Sequence, residues 1–362
     1  MRDYAAAVYI GRFQPFHDGH LAVVKHGLEI AEKVIIVVGS VNSAPNIRNP
    51  WSFEEREEMI YASVEAAYGA QEGFRRVNVV GVRDYHYNMN SWIAEVQSKT
   101  DPFLPYGQTI ALLGQYKDSS SYYLKHFPQW RFEPIKLDGA MIDATAIRTV
   151  LLRESFLPDW EGKLPKARNE HMAQIVERLA LPVAVKLYLE EWIKSADFMK
   201  LTGEFKFIEE YKASWSVAPY PPIFSTADAI VVCSGHVLVV RRKINPGKGL
   251  LALPGGFIRP DELVEKAALR ELREETGIRV APELLQASIV ASKVFDHPER
   301  SLRGRTISHG FYVKLPDGSL PEVSAGDDAA EAMWIPLLDV AKNEREFFDD
   351  HAHIINYFLS QS

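Results

Sequence analysis

The segment from Gly256 to Gly277 constrains the fold more than any other part of the chain. It places one glycine before a helix-forming run and a second where that run should end, with Glu271, Glu274 and Glu275 between them. At 3.6 residues per turn, these glutamates lie on one face of a helix. Three clustered carboxylates repel one another unless a cation lies between them, and oxygen ligands suit Mg²⁺ or Mn²⁺. The segment therefore predicts a glycine-flanked helix whose acidic face binds a divalent metal ion, with a solvated helix stabilised by charge pairs such as Arg270–Glu274 as the alternative.

Gly256 and Glu262 stand at fixed spacings upstream of these glutamates, and a solvent-exposed helix would need neither. With them, the stretch resembles the Nudix box at every defining position. The resemblance implies a C-terminal Nudix α/β/α sandwich with a mixed sheet, which hydrolyses a nucleoside diphosphate linked to another moiety. It implies that Glu271, Glu274 and Glu275 are the metal ligands, the first and last of them catalytic as well. Arg270 would orient a carboxylate, and Glu262 would support the adjoining loop.

A general base is still required, and in this family it often comes from a downstream loop. The candidates are Asp327, Asp328 and Glu331, of which we favour Glu331 as catalytic. The alternative is that all three are exposed loop acids.

Arg300, Arg303 and Arg305 lie in a segment that resembles the one in Nudix enzymes that cleave ADP-ribose, although Ser301-Leu302 replaces the expected Asp-Pro. This favours ADP-ribose as the substrate, with AMP and ribose 5-phosphate as products. Arg300 and Arg303 are then candidate phosphate ligands, because guanidinium groups pair well with phosphate. The alternative is a solvated loop.

A second motif follows the first predicted strand and leads directly into a helix. Its residues are Gly11, Arg12, Phe13, His17, Gly19 and His20. Main-chain N–H groups and the positive end of the dipole point outward at a helix N-terminus, and imidazoles there add donors. A glycine lets the backbone approach a ligand closely. The motif predicts a phosphate site, with an ordinary pair of loop histidines as the alternative.

Residues 47–56, 88–92 and 142–148 add to this pattern, and together they resemble archaeal-type nicotinamide mononucleotide adenylyltransferases of the nucleotidyltransferase superfamily. The resemblance implies an N-terminal Rossmann-like domain with a parallel sheet. It also implies adenylyl transfer from ATP, as substrate, to nicotinamide mononucleotide, which gives NAD and pyrophosphate. The implied triphosphate ligands are Arg12 and the catalytic residues His17, His20 and Arg148.

The same resemblance gives roles to three further residues. Thr145 would add a hydroxyl to the phosphate site, and Arg48 would lie near the triphosphate or the mononucleotide. Trp92 would stack on nicotinamide, unless it is a core tryptophan. One position departs from the family pattern: Asp143 stands where a serine is usual, so ATP binding requires Asp143 to point away from the phosphates or to meet a metal ion.

The chain of 362 residues is long enough for two domains. Short apolar strands such as Val34–Val38 alternate with amphipathic helices in the first third, which indicates a parallel α/β sheet. We predict an adenylyltransferase domain at 1–185, a helical connector and proline-rich linker at 186–216, and a Nudix domain at 217–362. This order matches a known fused pair, the bifunctional nicotinamide mononucleotide adenylyltransferase/Nudix hydrolases.

The net charge and the composition indicate which classes of partner the chain binds. A net charge of −7 argues against a protein that coats nucleic acid, and no apolar stretch approaches the length of a membrane span. A single cysteine, Cys233, excludes an intramolecular disulfide and fits a cytoplasmic protein. The predicted partners are ATP, nicotinamide mononucleotide, NAD and ADP-ribose, with neither nucleic acid nor membrane; a homo-oligomer is left open.

Three alternatives remain. The Nudix half could act as an ADP-ribose or NAD sensor, although the intact carboxylate triad disfavours that. The transferase could use another acceptor, such as pantetheine phosphate. The N-terminal domain could bind nucleotide without turnover, for which Asp143 is the one hint.

Overall fold

A computed structural model describes residues 2–114, 124–135, 142–156, 165–326 and 329–361. The chain divides into two compact units, Met1–Phe205 and Lys206–Ser362. Across these described ranges, no helix is long and apolar enough to cross a membrane.

Five strands form the sheet of the first unit. They are β1 (Tyr4–Gly11), β2 (Ala31–Val38), β3 (Val77–Gly81), β4 (Ile110–Gly114) and β5 (Arg131–Pro134). Their order is β3-β2-β1-β4-β5, and all neighbouring strands are parallel. The order reverses between β1 and β4, where open α/β sheets bind ligands beyond the carboxyl ends of their strands. The predicted Rossmann-like domain with a parallel sheet is confirmed.

The helices alternate with these strands and then continue beyond the sheet. They are α1 (Asp18–Ile30), α2 (Phe53–Tyr68), α3 (Ala70–Arg76), α4 (Met89–Thr100), α5 (Ala144–Glu154), α6 (Pro165–Arg178), α7 (Val183–Trp192) and α8 (Ala196–Ser214). A short 3₁₀ turn, Asp101–Phe103, follows α4.

Alternate residues of β1 face two separate apolar clusters. Ala7 belongs to the cluster that contains Phe13 and the buried residues of α1 and α2, whereas Val8 belongs to the cluster that contains Phe127. Trp192 of α7 and Phe198 of α8 also lie in the first of these clusters. Helices α7 and α8 thus complete the first core. The division between the two units, after Phe205, therefore falls inside the segment 186–216 that is predicted to be a connector and linker.

The second unit contains a mixed seven-stranded sheet. Its strands are β6 (Ile223–Cys233), β7 (His236–Arg242), β8 (Leu251–Ala252), β9 (Gly255–Phe257), β10 (Ile289–Phe295), β11 (Arg305–Lys314) and β12 (Ala329–Pro336). The order is β10-β11-β6-β7-β12, while β8 pairs with β7 and β9 pairs with β6. β11 and β6 are parallel, whereas β6–β7, β7–β12 and β10–β11 are antiparallel. The predicted mixed sheet is confirmed.

The helices of this unit are α9 (Val264–Thr276), α10 (Pro282–Ala287), α11 (Leu337–Lys342) and α12 (His351–Leu359). A 3₁₀ turn, Glu344–Glu346, lies between α11 and α12. Leu269 and Leu272 of α9 pack in the core against Ala229 of β6, which leaves the acidic face of α9 directed elsewhere. Gly277 ends α9 in the left-handed conformation, with φ of 49°.

Local periodicity misplaced some boundaries. The apolar pattern predicts a strand over Ala287–Val294, but α10 extends to Ala287 and β10 begins at Ile289. The pattern also predicts a helix over His20–Glu32, yet Ala31 is the extended C-cap of α1 and opens β2. The short edge strand β5 and strand β12 were not predicted, since neither has a continuous buried apolar run.

Candidate active sites

The two histidines predicted to bind phosphate cap the helix that they introduce. His17 is the N-cap of α1, and its Nδ1 accepts a hydrogen bond from the main-chain N–H of His20 at 3.3 Å. In return, Nδ1 of His20 accepts from the main-chain N–H of His17 at 3.3 Å. This is a capping box, in which side chains satisfy two N–H groups that have no partner within the helix. The His-x-x-His spacing therefore fixes where α1 begins.

These hydrogen bonds determine what each imidazole can offer to a ligand. A neutral ring whose Nδ1 accepts a hydrogen bond carries its hydrogen on Nε2. The rings of His17 and His20 stack with centroids 3.5 Å apart and an interplanar angle of 18°, which fixes the two Nε2 atoms relative to each other. Paired N–H donors beside the positive end of a helix dipole suit a phosphate group.

Gly11, Phe13 and Gly19 shape the space around the histidine pair. Phe13 is buried with a left-handed backbone (φ of 53°), and its ring centroid lies 4.9 Å from that of His20. A Cβ atom at Gly11 would lie 2.9 Å from the Phe13 ring, and one at Gly19 would lie 3.1 Å from the ring of His17. The two glycines therefore leave room for these rings to pack closely.

Arg148 is buried, and protein atoms bind its guanidinium group. Nη1 donates to the carbonyl of Gln14, Nε donates to the carbonyl of Ile47 at 3.2 Å, and Nη2 donates to Oγ1 of Thr145 at 3.2 Å. The resemblance implied a triphosphate ligand at this position. In the structure, Arg148 connects α5 with the loops that follow β1 and β2.

Asp143, which departs from the family pattern, caps α5. Its Oδ1 accepts a hydrogen bond from the main-chain N–H of Thr145 at 2.8 Å, and both side chains are exposed. Aspartate and serine are comparable N-cap residues, so the substitution preserves the start of the helix.

The remaining predicted residues of the first unit are spread more widely. Arg12 is exposed directly after β1, and Arg48 is half-buried in the loop after β2. Trp92 packs against Phe127, with ring centroids 5.8 Å apart, in the apolar cluster on the side of the sheet opposite Phe13. The structure therefore does not bring Trp92 together with the histidine pair.

Arg56, to which the sequence pattern gives no role, lies fully buried in the first turns of α2. A signal was present in the spacing, because Met59, Ile60 and Val64 follow it on the buried face of the same helix. A cation at the head of an apolar helical stripe has to find hydrogen-bond acceptors inside the protein.

Arg270 organises the acidic face of α9 in the second unit. It donates to Glu262 through Nε at 2.9 Å and through Nη2 at 2.6 Å. Through Nη1 it donates to Glu271 at 2.6 Å and to Glu274 at 2.8 Å. One guanidinium group thus fixes the positions of three carboxylates with charge-assisted hydrogen bonds.

Glu275 lies deeper than the other carboxylates of α9. Its Oε2 accepts a hydrogen bond from the main-chain N–H of Gly255 at 3.1 Å, and burial raises the pKa of Glu275 to about 8. Burial also raises the pKa of Glu271, whereas the hydrogen bonds from Arg270 lower the pKa of Glu262 to about 2. A nearby cation would favour the ionised form of the two glutamates whose pKa is raised.

The residues present fit a divalent cation. A Cβ atom at Gly256 would lie 2.6 Å from the carboxyl group of Glu271, so glycine keeps the space beside that carboxylate open. The donor set of Glu271, Glu274 and Glu275 offers only oxygen ligands, as Mg²⁺ and Mn²⁺ prefer. In the described ranges, no three acidic, histidine or cysteine side chains converge on one point, and Arg270 binds two of these carboxylates instead. The metal-ligand assignment stays a prediction.

Glu331, the favoured general base, is exposed near the start of β12. Its Oε2 accepts a hydrogen bond from Nε of Arg241 at 3.1 Å, which forms a cross-strand ion pair. The other two candidates, Asp327 and Asp328, lie outside the described residues.

The chain that leads to these acids is bonded to the end of α9. The main-chain N–H of Ser324 donates to the carbonyl of Thr276 at 2.8 Å, and that of Gly326 donates to the carbonyl of Glu275 at 3.0 Å. These two bonds place Gly326 beside the last turn of α9, which carries Glu274 and Glu275.

The three arginines of the predicted substrate loop differ in environment. Arg300 forms a buried two-pronged ion pair with Asp350, through Nε at 3.0 Å and Nη2 at 2.8 Å, and the two side chains are 4% and 1% exposed. Arg303 places its guanidinium 5.2 Å from the ring centroid of Phe257. Arg305 donates to a main-chain carbonyl at 2.5 Å. The predicted phosphate ligand Arg300 is thus bound inside the unit, fifty residues along the chain from its partner.

Asp349 lies next to Asp350 of this ion pair in the chain. Its unusual environment could not be predicted from the sequence, because two adjacent aspartates form no distinctive motif. Its backbone is left-handed, with φ of 45°. Burial, followed by the charge of Asp350, raises the pKa of Asp349 to about 7, although Arg303 and Arg300 act in the opposite direction.

Each of the two units contains a match to one known protein family. Residues 8–123 match the cytidylyltransferase-like family, and residues 224–358 match the NUDIX domain. The chain is 38% identical over 157 residues to a nicotinamide/nicotinic acid mononucleotide adenylyltransferase of Acinetobacter baylyi, which covers 43% of this chain and 76% of that protein. It is 37% identical over 132 residues to an ADP-ribose pyrophosphatase of Methanocaldococcus jannaschii, which covers 36% of this chain and 70% of that one.

Among solved structures, similarity extends along the whole chain. This chain resembles the crystal structure of a bifunctional NMN adenylyltransferase/ADP ribose pyrophosphatase from Francisella tularensis, complexed with AMP and a manganese ion. The sequences are 34% identical, the TM-score is 0.87, and the match covers 99% of each chain.

Proposed function

This chain belongs to the family of bifunctional NMN adenylyltransferases/ADP-ribose pyrophosphatases, and we propose that each of its two units catalyses one of the two reactions. The first unit transfers the adenylyl group of ATP to nicotinamide mononucleotide, giving NAD and pyrophosphate. The second hydrolyses ADP-ribose to AMP and ribose 5-phosphate. The observation that carries this proposal is the match to a bifunctional relative along 99% of both chains.

In the first reaction, a phosphate oxygen of the mononucleotide attacks the α-phosphorus of ATP, and the bond to the β-phosphate breaks. The protein has only to align the two nucleotides and to stabilise the charge that develops on the phosphates. His17 and His20 donate from Nε2 to phosphate oxygens at the N-terminus of α1, and the exposed Arg12 adds a cation. Their reciprocal hydrogen bonds hold the two rings in place before ATP binds, so little reorganisation is needed.

Other residues complete this site from neighbouring elements. Arg148 holds the loops after β1 and β2 together through its bonds to main-chain carbonyls. The exposed Thr145 contacts the triphosphate, and Arg48 contacts the triphosphate or the mononucleotide. Trp92 stacks on nicotinamide only if its ring face is open to the acceptor, and its packing on Phe127 makes this the weakest assignment of the set.

In the second reaction, Glu271, Glu274 and Glu275 would hold Mg²⁺ or Mn²⁺. A divalent cation bound there neutralises the diphosphate and lowers the pKa of a water molecule. Arg270 keeps Glu271 and Glu274 in place through its hydrogen bonds, and a bound cation would replace Arg270 as the partner of these carboxylates. Glu331 takes the proton from the attacking water after leaving its pairing with Arg241.

Two arginines support the substrate in different ways. Arg303 contacts the diphosphate directly. Arg300 supports it indirectly, because its buried pair with Asp350 fixes the loop from which Arg303 projects. We place both reactions in the cytoplasm, in keeping with the free, buried thiol of Cys233.

The test is to assay both reactions with the full chain and Mg²⁺. ATP and nicotinamide mononucleotide should yield NAD and pyrophosphate, and ADP-ribose should yield AMP and ribose 5-phosphate. ADP-ribose should be preferred over NADH, diadenosine polyphosphates and nucleoside triphosphates. If the chain binds ATP but forms no NAD with this acceptor, the transferase assignment is wrong; if a nucleoside triphosphate is the better substrate, the hydrolase assignment is wrong.

A further inference from the structure

Arg56 is a fully buried cation that is hydrogen-bonded to the residues directly after β1 and β2, two neighbouring strands of the first sheet. It lies one turn after the N-cap residue Ser52 in α2, and its Nε donates to the carbonyl of Ser52 at 3.0 Å. Its Nη1 donates to the carbonyls of Arg12 and Gly39, each at 2.7 Å, and its Nη2 donates to the carbonyl of Ser40 at 3.4 Å. A planar guanidinium has donors in a fixed fork that can hold several carbonyls at once.

The bonded carbonyls lie where the two strands end. Arg12 follows directly after β1, and Gly39 follows directly after β2. The main-chain N–H of Gly39 also donates to the carbonyl of Gly11 at 2.9 Å, so the strand pairing continues to this point. Arg56 therefore clamps the carboxyl edge of the sheet, which is the edge at which open parallel sheets bind ligands.

This clamp acts on the loop that carries the predicted phosphate-binding groups. Fixing the carbonyl of Arg12 fixes the peptide plane between Arg12 and Phe13, because the peptide unit is rigid. That plane sets the direction of the exposed Arg12 side chain and the left-handed backbone of Phe13, whose ring contacts His20. We propose that Arg56 is a positioning residue for adenylyl transfer, which acts through the main chain of Arg12 without touching either nucleotide. This inference rests on the proposed transferase function.

The chain contains a matched control at the other end of β2. Arg76 is also a buried arginine of the first unit, and it donates to the carbonyls of Glu32 at 2.8 Å and Ala31 at 2.9 Å. Those carbonyls lie at the start of β2, on the edge of the sheet away from the predicted site. Arg76 is thus buried and bonded to main-chain carbonyls as Arg56 is, and its further bond to α1, from Nη2 to the carbonyl of Leu28, lies in the last turn of that helix, at the opposite end from the histidine pair.

The experiment compares Arg56→Lys with Arg76→Lys in the full chain. A lysine ammonium cannot reproduce the fork, so both variants should lower the Tm. Arg56→Lys should also lower the kcat of NAD formation by about 100-fold, as expected for a small misplacement of reacting groups. Arg76→Lys should keep the wild-type kcat, and both variants should hydrolyse ADP-ribose at the wild-type rate.

Hydrogen exchange gives a readout that is independent of activity. The amide hydrogen of Gly39, which is donated to the carbonyl of Gly11, should exchange faster in Arg56→Lys than in the wild type. In Arg76→Lys, its exchange rate should equal that of the wild type. If Arg56→Lys does not fold, Arg56→Gln, which keeps two N–H donors, takes its place with the same expectations. The proposal is overturned if the Arg56 variant keeps the wild-type kcat or if the Arg76 variant loses as much. If the wild-type chain forms no NAD, the transferase function fails, while the exchange at Gly39 still decides whether Arg56 holds this edge.

Discussion

Replacing His17 with asparagine separates the two roles of its imidazole. The ring caps α1 through Nδ1, and in the proposed reaction it donates to a phosphate through Nε2. An asparagine side chain places an acceptor near the position of Nδ1 and has nothing at the position of Nε2. The variant therefore keeps the helix cap and removes the donor, whereas His17→Ala removes both.

The two roles have different magnitudes. Losing an N-cap acceptor costs about 1 kcal/mol, and losing a donor to a developing negative charge costs a factor of about 100 or more in kcat. In a unit that runs from Met1 to Phe205, a loss of about 1 kcal/mol lowers the Tm by roughly 2–4 °C. His17→Asn should thus keep the wild-type Tm and lose NAD formation. His17→Ala should lose NAD formation and also have a Tm lowered by roughly 2–4 °C.

The assay follows NAD formation at saturating ATP and nicotinamide mononucleotide, with the Tm of each variant measured on the same preparation. Hydrolysis of ADP-ribose serves as the internal control and should be unchanged in both variants. A His17→Asn protein with the wild-type kcat would show that the imidazole is only a helix cap, and the proposed phosphate role of the histidine pair would be wrong.

Three further predictions concern the second unit. Gly256→Ala should lower the kcat of ADP-ribose hydrolysis and leave NAD formation intact, because the added Cβ would lie 2.6 Å from the carboxyl group of Glu271 and would displace it; a fully active variant would contradict this. Arg300→Ala should lower the free energy of unfolding by about 3–5 kcal/mol in denaturant titrations, since it leaves Asp350 buried without its partner; a change in KM alone, without loss of stability, would show that Arg300 binds substrate. The pKa of Asp349 is raised to about 7 in the folded chain, so the folded state holds a proton that the unfolded state releases, and stability falls as the pH rises through about 4 to 7. Asp349→Asn should therefore reduce the dependence of the free energy of unfolding on pH by up to about 1.4 kcal/mol per pH unit. The variant should also be more stable than the wild-type protein at pH 8. If the free energy of unfolding of the variant depends on pH as that of the wild type does, Asp349 does not bind the extra proton.

Features that depend on local spacing could be predicted from the sequence. The acidic face of α9 follows from the helical period, and Gly277 ends the helix where expected. The strands and helices of the first third follow from their apolar patterns, and with them the parallel sheet. The capping role of His17 was not predicted, although the His-x-x-His spacing that produces it is local.

Features that depend on which distant groups meet could not be predicted. Arg148 is bonded to Gln14, 134 residues away, and Arg300 is bonded to Asp350, 50 residues away. Whether an arginine reaches solvent or a buried acceptor depends on the tertiary packing around it, and its sequence neighbours do not reveal this. Arg56 differs in part, because the apolar stripe of α2 indicates that it is buried, whereas the distant carbonyls that it binds are not apparent from the sequence.

If one chain carries two independent sites for nucleotide phosphates, a variant of one site should leave the other active. Both activities of Glu275→Gln can be measured in a single preparation. Hydrolysis of ADP-ribose should be lost while NAD forms at the wild-type rate. A parallel loss of both activities, with the Tm unchanged, would contradict the independence of the two sites.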